Sequence, residues 1–173
     1  LPEPLPFGDI VDMIVRSETP EDQPEVYEVV AAAFNQIEEA DLVASLRDAG
    51  DIEVSLVAED AHKIIGHVAL SKMSAPFRAL ALAPVSVIPS RQRQGIGTRL
   101  VMDALRRAKD AGWDAVFVLG DPKYYQRFGF SVEAARGFSS PYAGLHFMGL
   151  PLSGRLSATT GELCHPHAFD ALG

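Results

Sequence analysis

The stretch P-S-R-Q-R-Q-G-I-G-T-R-L, Pro89 to Leu100, decides how this chain is read. It sets Arg91, Arg93 and Arg99 around a Gln-rich turn and the pair Gly95 and Gly97, in a protein whose formal net charge is -8. Beyond it, Ile96, Leu100, Val101, Ala104, Leu105 and Ala108 recur at helical spacing, while Arg99, Asp103, Arg106, Arg107 and Lys109 occupy the other face. A helix is therefore predicted over 95–111, with Gly112 as its stop. The turn opens directly onto the helix N-terminus, where unpaired N–H groups and the positive end of the dipole favour an anion. Glycines there leave the backbone bare for a phosphate to approach. A P-loop would need Gly, four residues, Gly-Lys and then Ser or Thr, and a dinucleotide fingerprint would need a third glycine where Leu100 stands, so both nucleotide readings fail.

Outward from the turn, R-A-L-A-L-A-P-V-S-V-I-P (78–89) reads as a long strand. Pro84 inside it cannot donate to a ladder, which marks a bulge or a place where the strand leaves its neighbour. D-A-V-F-V-L-G (114–120) is a continuous apolar run, as expected of a strand covered on both faces. Strand, turn, helix and strand then form a right-handed βαβ crossover. Upstream, E-V-S-L-V-A-E and K-I-I-G-H-V-A-L-S, separated by Asp60 to His62, read as an antiparallel hairpin.

Before the hairpin, D-M-I-V-R-S is a short strand, and Thr19 followed by Pro20, Glu21 and Asp22 starts a helix. Val26, Val29, Val30, Ala33 and Phe34 form its inward stripe. A second helix is predicted from Glu38 to about Ala49, with Leu42, Val43 and Leu46 inward and Gly50 as its stop. After the crossover, the pattern gives a short helix over Lys123 to Phe128, a strand at F-S-V-E-A (130–134), another at L-H-F-M-G-L-P-L (145–152), and a polar tail from Gly161 with a last turn at Phe169. The opening L-P-E-P-L-P-F-G reads as a mobile Pro-rich lead over 1–11, leaving 12–173 as a single domain.

Composition removes several classes of function. At 173 residues the chain suits one domain, and its single cysteine, Cys164, cannot form an internal disulfide. With 23 acidic against 15 basic residues, nucleic acid is not an expected partner. No apolar run is long enough to span a bilayer and nothing resembles a secretory signal, so no membrane partner and a cytoplasmic location are expected. C-H-P-H, Cys164 to His167, has ligand types but no second pair at zinc spacing, so no metal is expected.

The run Gln92-Arg93-Gln94-Gly95-Ile96-Gly97 resembles the pyrophosphate-binding motif of the GNAT (GCN5-related N-acetyltransferase) superfamily, in its bacterial branch. P-V-S-V-I-P-S resembles that family's fourth strand, and Y-Y-Q-R-F-G-F, Tyr124 to Phe130, resembles its closing helix-turn, with a tyrosine four residues before the glycine of Gly-Phe. The resemblance runs from about Met13 to Ala134. It departs from the motif at Arg93, where glycine is frequent, and at Asp121 and Pro122, where the family often has an asparagine.

The resemblance implies an α/β (α+β) fold with a mixed, mostly antiparallel central sheet, a splay between strands 4 and 5, and helices on both faces. It implies transfer of an acetyl group from acetyl-CoA to a primary amine by direct attack. Gln92, Arg93, Gln94, Gly95, Ile96, Gly97 and Thr98 would cradle the CoA pyrophosphate, with Arg91, Arg93 and Arg99 offering further charge. Val85, Ser86 and Val87 would pair with the pantetheine arm, and an N–H near Val87 would polarise the thioester. Tyr125 would protonate the departing thiolate, against a packing role beside Tyr124 and Phe128. A lysine-like amine is almost wholly protonated at pH 7, so a base or a water is required; Glu59, His67 and Asp121 stand near the central strands without one of them being singled out. A non-catalytic acyl-CoA-binding regulatory module of the same fold is the alternative, and an edge strand near the C-terminus offers a contact for a homodimer.

Overall fold

The computed structural model describes residues 13–172, so the Pro-rich lead over 1–11 lies outside the described residues. Its centre is a six-stranded sheet in the order β1-β2-β3-β4-β5-β7. Strand β1 (Ile14–Ser17) pairs antiparallel with β2 (Ile52–Asp60), β2 with β3 (Lys63–Met73), and β3 with β4 (Ala79–Val87). The hairpin turn is Ala61-His62, both at positive φ, which matches the tight turn that twisted strands favour.

Between β1 and β2 the chain makes a single 3-10 turn, Pro20–Asp22, then α1 (Gln23–Phe34) and α2 (Glu38–Asp48). Thr19 and Asp22 form a reciprocal capping box there, with Asp22 Oδ2 accepting from the Thr19 N–H at 2.7 Å. Val26, Val29 and Val30 are buried as expected, and so are Leu42, Val43 and Leu46. Phe34 is a correction: α1 closes at Asn35 in a left-handed conformation, and its last turn carries Phe34 past the packed stripe, leaving it 40% exposed.

The β4–α3–β5 unit follows the sequence pattern closely. Helix α3 (Ile96–Asp110) buries Ile96, Leu100, Val101, Ala104, Leu105 and Ala108, the full expected stripe. It lies on the face of the sheet that carries Leu56, Val68, Leu70, Leu80, Leu82, Val116 and Val118. Gly66 lets it settle there, since a Cβ at that position would meet Leu100 Cδ1 at 3.0 Å and the Ser86 carbonyl at 3.1 Å. The opposite face holds Val57, Ala81, Ala115 and Phe117 under α1, α2 and the C-terminal segment.

Strand β5 (Ala115–Leu119) runs parallel to β4, but their pairing covers only Ala79–Ala81 against Ala115–Phe117. Beyond Ala81 the strands part, so β4 from Leu82 to Val87 has β3 on one edge and an open V on the other. Pro84, joined to Ala83 by a cis peptide, stands at the start of that open length, where the sequence places the splay.

After β5 come α4 (Pro122–Tyr125), a 3-10 turn over Gln126–Phe128, and α5 (Val132–Ala135). The expected strand at 130–134 is therefore corrected to a helix. Ser131 is its cap, the hydroxyl accepting from the Ala134 N–H at 3.1 Å, and only Ser131 itself bridges to the sheet, at Gly149. A two-residue β6 (Phe138–Ser139) pairs parallel with β8 (Gly161–Glu162), a small second sheet that the sequence pattern does not announce. Strand β7 (Phe147–Pro151) returns antiparallel to β5, and the last described residues form a 3-10 segment, His167–Leu172, that buries Phe169. No described helix is long and apolar enough to cross a membrane.

Candidate active site

The turn before α3 is built around two residues in left-handed backbone, Arg93 (φ 64) and Gly95 (φ 83), with Gly95 as the helix cap. The first intrahelical bond runs from the Arg99 N–H to the Gly95 carbonyl at 3.1 Å, so the N–H groups of Ile96, Gly97 and Thr98 have no carbonyl within the helix to meet. Gly97 needs neither an unusual φ nor extra room for the protein's own packing: a Cβ there would find Val87, the Tyr124 hydroxyl and Val85 at ordinary contact distances of 3.7 to 3.8 Å. Its missing side chain leaves bare the backbone at the mouth of the V, beside a helix N-terminus, a setting that favours an anion.

Not all three arginines are spent alike. Arg91 pairs with Asp60 at 2.8 Å and donates from Nε to Gln94 Oε1 at 3.0 Å, which braces the turn against the β2–β3 hairpin. Gln92 also braces it, its side-chain amide donating to the Val87 carbonyl at 3.0 Å. Arg93 and Arg99 are exposed, and Arg99 reaches the Met13 carbonyl at 3.5 Å.

Register decides what the open edge of β4 offers. Ile88 donates its N–H to Ile65 across β3, and hydrogen-bonded and non-bonded pairs alternate along an antiparallel ladder. Ser86 therefore turns its main chain to His67 on β3, whereas Val85 and Val87 turn theirs to the V. The Val85 and Val87 side chains pack on the α3 side, while the Ser86 side chain is buried on the other.

The two tyrosines of α4 separate. The Tyr124 hydroxyl lies 3.0 Å from Thr98 Oγ1 at the start of α3. Tyr125 packs edge-on to Phe130 at 5.8 Å between ring centroids and fills the space a Cβ on Gly120 would need. Burial, with a smaller contribution from Tyr124, pushes the Tyr125 phenol up to about 12, so it stays protonated through the neutral range.

Of the three groups weighed as bases, two are engaged elsewhere. Glu59 accepts from Arg16 Nε at 2.8 Å on the far side of the sheet, and Asp121 caps α4 by accepting from the Lys123 N–H at 3.0 Å. His67 is fully buried, and burial, aided by Arg47, holds its imidazole down at about 3. Its Nε2 lies 2.8 Å from Ser55 Oγ. Sequence reasoning missed this contact and the Tyr124–Thr98 contact; a histidine inside the doubly apolar run K-I-I-G-H-V-A-L was the available signal for the first. Cys164 makes an isolated bridge to Ser74, and its exposed thiol donates to Glu162 at 3.3 Å. Among the described residues no group of three or more His, Cys, Asp or Glu is placed to hold a metal ion.

The model of the acetyltransferase (GNAT) domain matches residues 14–132. The uncharacterized N-acetyltransferase YhbS of Escherichia coli K12 is 36% identical over 126 residues, covering 70% of this chain and 75% of that protein. The crystal structure of the GNAT family N-acetyltransferase YhbS from Escherichia coli in complex with CoA superposes with a TM-score of 0.87 at 30% identity, covering 94% of each chain. A GNAT family acetyltransferase from Brucella melitensis, solved in complex with acetyl-CoA, superposes with a TM-score of 0.78 at 32% identity over 91% of this chain and 98% of that one. With the bare turn, the V between β4 and β5 and these relatives in agreement, this chain belongs to the GNAT acetyltransferase family.

Proposed function

We propose that this protein transfers the acetyl group of acetyl-CoA to a primary amine of a small molecule or peptide by direct attack, without an acyl-enzyme. The observation that carries the reading is the juxtaposition of the bare α3 N-terminus at Gly95–Thr98 with the open edge of β4 at Val85 and Val87. The N–H groups of the turn and of Ile96, Gly97 and Thr98 would hold the pyrophosphate, and Gln92, Arg93 and Gln94 shape that turn. Main-chain groups of Val85 and Val87 would pair with the amides of the pantetheine arm as a missing strand does, with Ser86 locking β4 to β3 between them. The Val87 N–H would polarise the thioester carbonyl.

The cofactor enters along α3, so the amine comes to the V from the opposite face, beneath α1, α2 and the C-terminal segment. The nitrogen of the neutral amine forms its bond to the carbonyl carbon and gives up one proton to a base or water. The C–S bond breaks, and the thiolate takes a proton from a phenol, which recovers one from solvent. Tyr125 is the residue assigned that role: a phenol held protonated by burial keeps its proton until a strong base such as a thiolate forms beside it.

Calorimetric titration with acetyl-CoA tests the cradle. Saturable binding near the micromolar range, on the order of -8 kcal/mol, is expected for the wild type and should be lost in Gly97→Glu, which fills the bare surface with bulk and negative charge. Binding without turnover across a panel of primary amines would favour the regulatory-module alternative. No binding would remove the reading.

A further inference from the structure

His67, Ser71 and Ser86 are the buried polar residues of the described core, and His67 Nδ1, Ser71 Oγ and Ser86 Oγ have no hydrogen-bond partner. His67 and Ser86 stand directly opposite each other on β3 and β4, so their side chains share the face turned away from α3. Ser86 also lies on the length of β4 that borders the V.

The hydrogen bonds beyond His67 fix its tautomer. Glu18, ion-paired with Arg47 at 2.6 Å, is a carboxylate and can only accept. Ser55 Oγ, 2.7 Å from Glu18 Oε2, must therefore give its single proton to Glu18. The contact between Ser55 Oγ and His67 Nε2 then has one polarity left: Nε2 carries the hydrogen and donates it. His67 Nδ1 is left with a bare lone pair, buried, on a side chain that shares its sheet face with that of the paired Ser86. The donors all run one way, from His67 to Ser55 to Glu18.

We propose that Glu18, Ser55 and His67 form a proton relay that carries the proton from the attacking amine out of the V, entered through a water held between His67 Nδ1 and Ser86 Oγ. The relay rests on the acetyltransferase reading. Two unpartnered polar atoms on directly paired residues are the setting in which buried water is found. When the C–N bond forms, the nitrogen's proton passes to the water and the water's proton to Nδ1. The Nε2 hydrogen moves to Ser55 and the Ser55 hydrogen to Glu18. His67 and Ser55 end neutral, with the tautomer exchanged, and one carboxylate has become an acid. Burial that disfavours an imidazolium suits this role, since His67 passes a proton without storing one. The charged groups around it are Glu18 and Arg47; α1 contributes the apolar Val26, Val29 and Val30, and its Glu25 is committed to the Ile64 N–H at 2.9 Å.

Two measurements on the full chain test this. Long-range proton–nitrogen NMR of labelled histidines should find His67 neutral with the hydrogen on Nε2 over about pH 5 to 8. Initial rates with acetyl-CoA and lysine methyl ester, spermidine and phenethylamine as probe amines should then be compared across pH for the wild type and Ser55→Ala. The relay predicts a kcat about 10- to 100-fold lower at pH 7 in Ser55→Ala, with acetyl-CoA affinity unchanged. The deficit should shrink as pH rises and hydroxide takes the nitrogen's proton directly, and Ser55→Thr should restore the rate. Glu18→Gln should give the same pH-dependent deficit if Ser55→Ala folds poorly. A hydrogen on Nδ1, or variant profiles parallel to the wild type, would overturn the relay. Turnover of no probe amine by the wild type would instead overturn the acetyltransferase reading beneath it.

Discussion

The hydroxyl of Tyr124 lies 3.0 Å from that of Thr98, tying α4 to the first turn of α3, while the next ring, Tyr125, turns into the packing around Gly120 and Phe130. Adjacent phenols therefore have separable work. Tyr124→Phe removes one neutral hydrogen bond at the cradle and should weaken acetyl-CoA binding about 3- to 10-fold with kcat nearly kept, about 1 kcal/mol. Tyr125→Phe should lower kcat about 100-fold with affinity for acetyl-CoA nearly kept. Steady-state kinetics beside calorimetry on both variants check the division; an unchanged kcat in Tyr125→Phe would remove it from the mechanism.

Gly97 offers a finer test of the cradle than a bulky substitution. A Cβ there meets only ordinary contacts and the backbone is helical, so Gly97→Ala should leave the free protein as stable or up to about 1 kcal/mol more stable, as alanine is the better helix former. The same methyl would stand on the surface proposed to receive phosphate. Thermal melting should thus show no loss, while the acetyl-CoA dissociation constant rises at least about tenfold, or about 1.4 kcal/mol.

Much of the architecture was legible because its central unit carries two clear periods. The six inward positions of α3 and the apolar run of β5 have one reading each, and Pro84 lies three residues past the last β4–β5 pair, at an irregularity in the β3–β4 ladder. The segment 130–134 misled because its residues suit a half-buried strand over a short length; Ser131, whose hydroxyl caps the following turn, was the signal for a helix. The β6–β8 pair was invisible for a different reason: two residues meet two others more than twenty positions away, and so short a nonlocal pairing leaves no pattern. At the site, the motif singled out the turn before α3 but not the partner of Arg91, nor the chain from His67 to Arg47, since each is set by how separate strands and turns come together rather than by spacing.

Gly66 lets the first turns of α3 settle directly on the sheet. Its Cβ would press on Leu100 Cδ1, which can shift, and on the Ser86 carbonyl, which is held by the ladder. Gly66→Ala should therefore destabilise by about 1–3 kcal/mol through overpacking, read as a lower denaturant midpoint at unchanged m. Because α3 would be lifted from the V, acetyl-CoA affinity should fall with it, unlike the stability-neutral Gly97→Ala.

One buried and one half-buried histidine make the fold sensitive to mild acid. Burial lowers His67 to about 3 and His165 to about 4, while an unfolded histidine titrates near 6.5. Below about pH 6.5 the unfolded chain takes up protons that the native one refuses, so their stabilisation is complete above that pH and is lost as pH falls toward the folded values. Each group contributes a slope of about 1.4 kcal/mol per pH unit, and His165 contributes less because its ring is only partly covered. Urea titrations should show the wild type losing about 2–4 kcal/mol between pH 6.5 and 5, a window above the range of ordinary carboxylates. His165→Phe keeps a ring against Tyr142, Phe147 and Phe169 and should lose noticeably less over the same window. Equal losses in the two proteins would mean that His165 takes up its proton in the native state as readily as in the unfolded one.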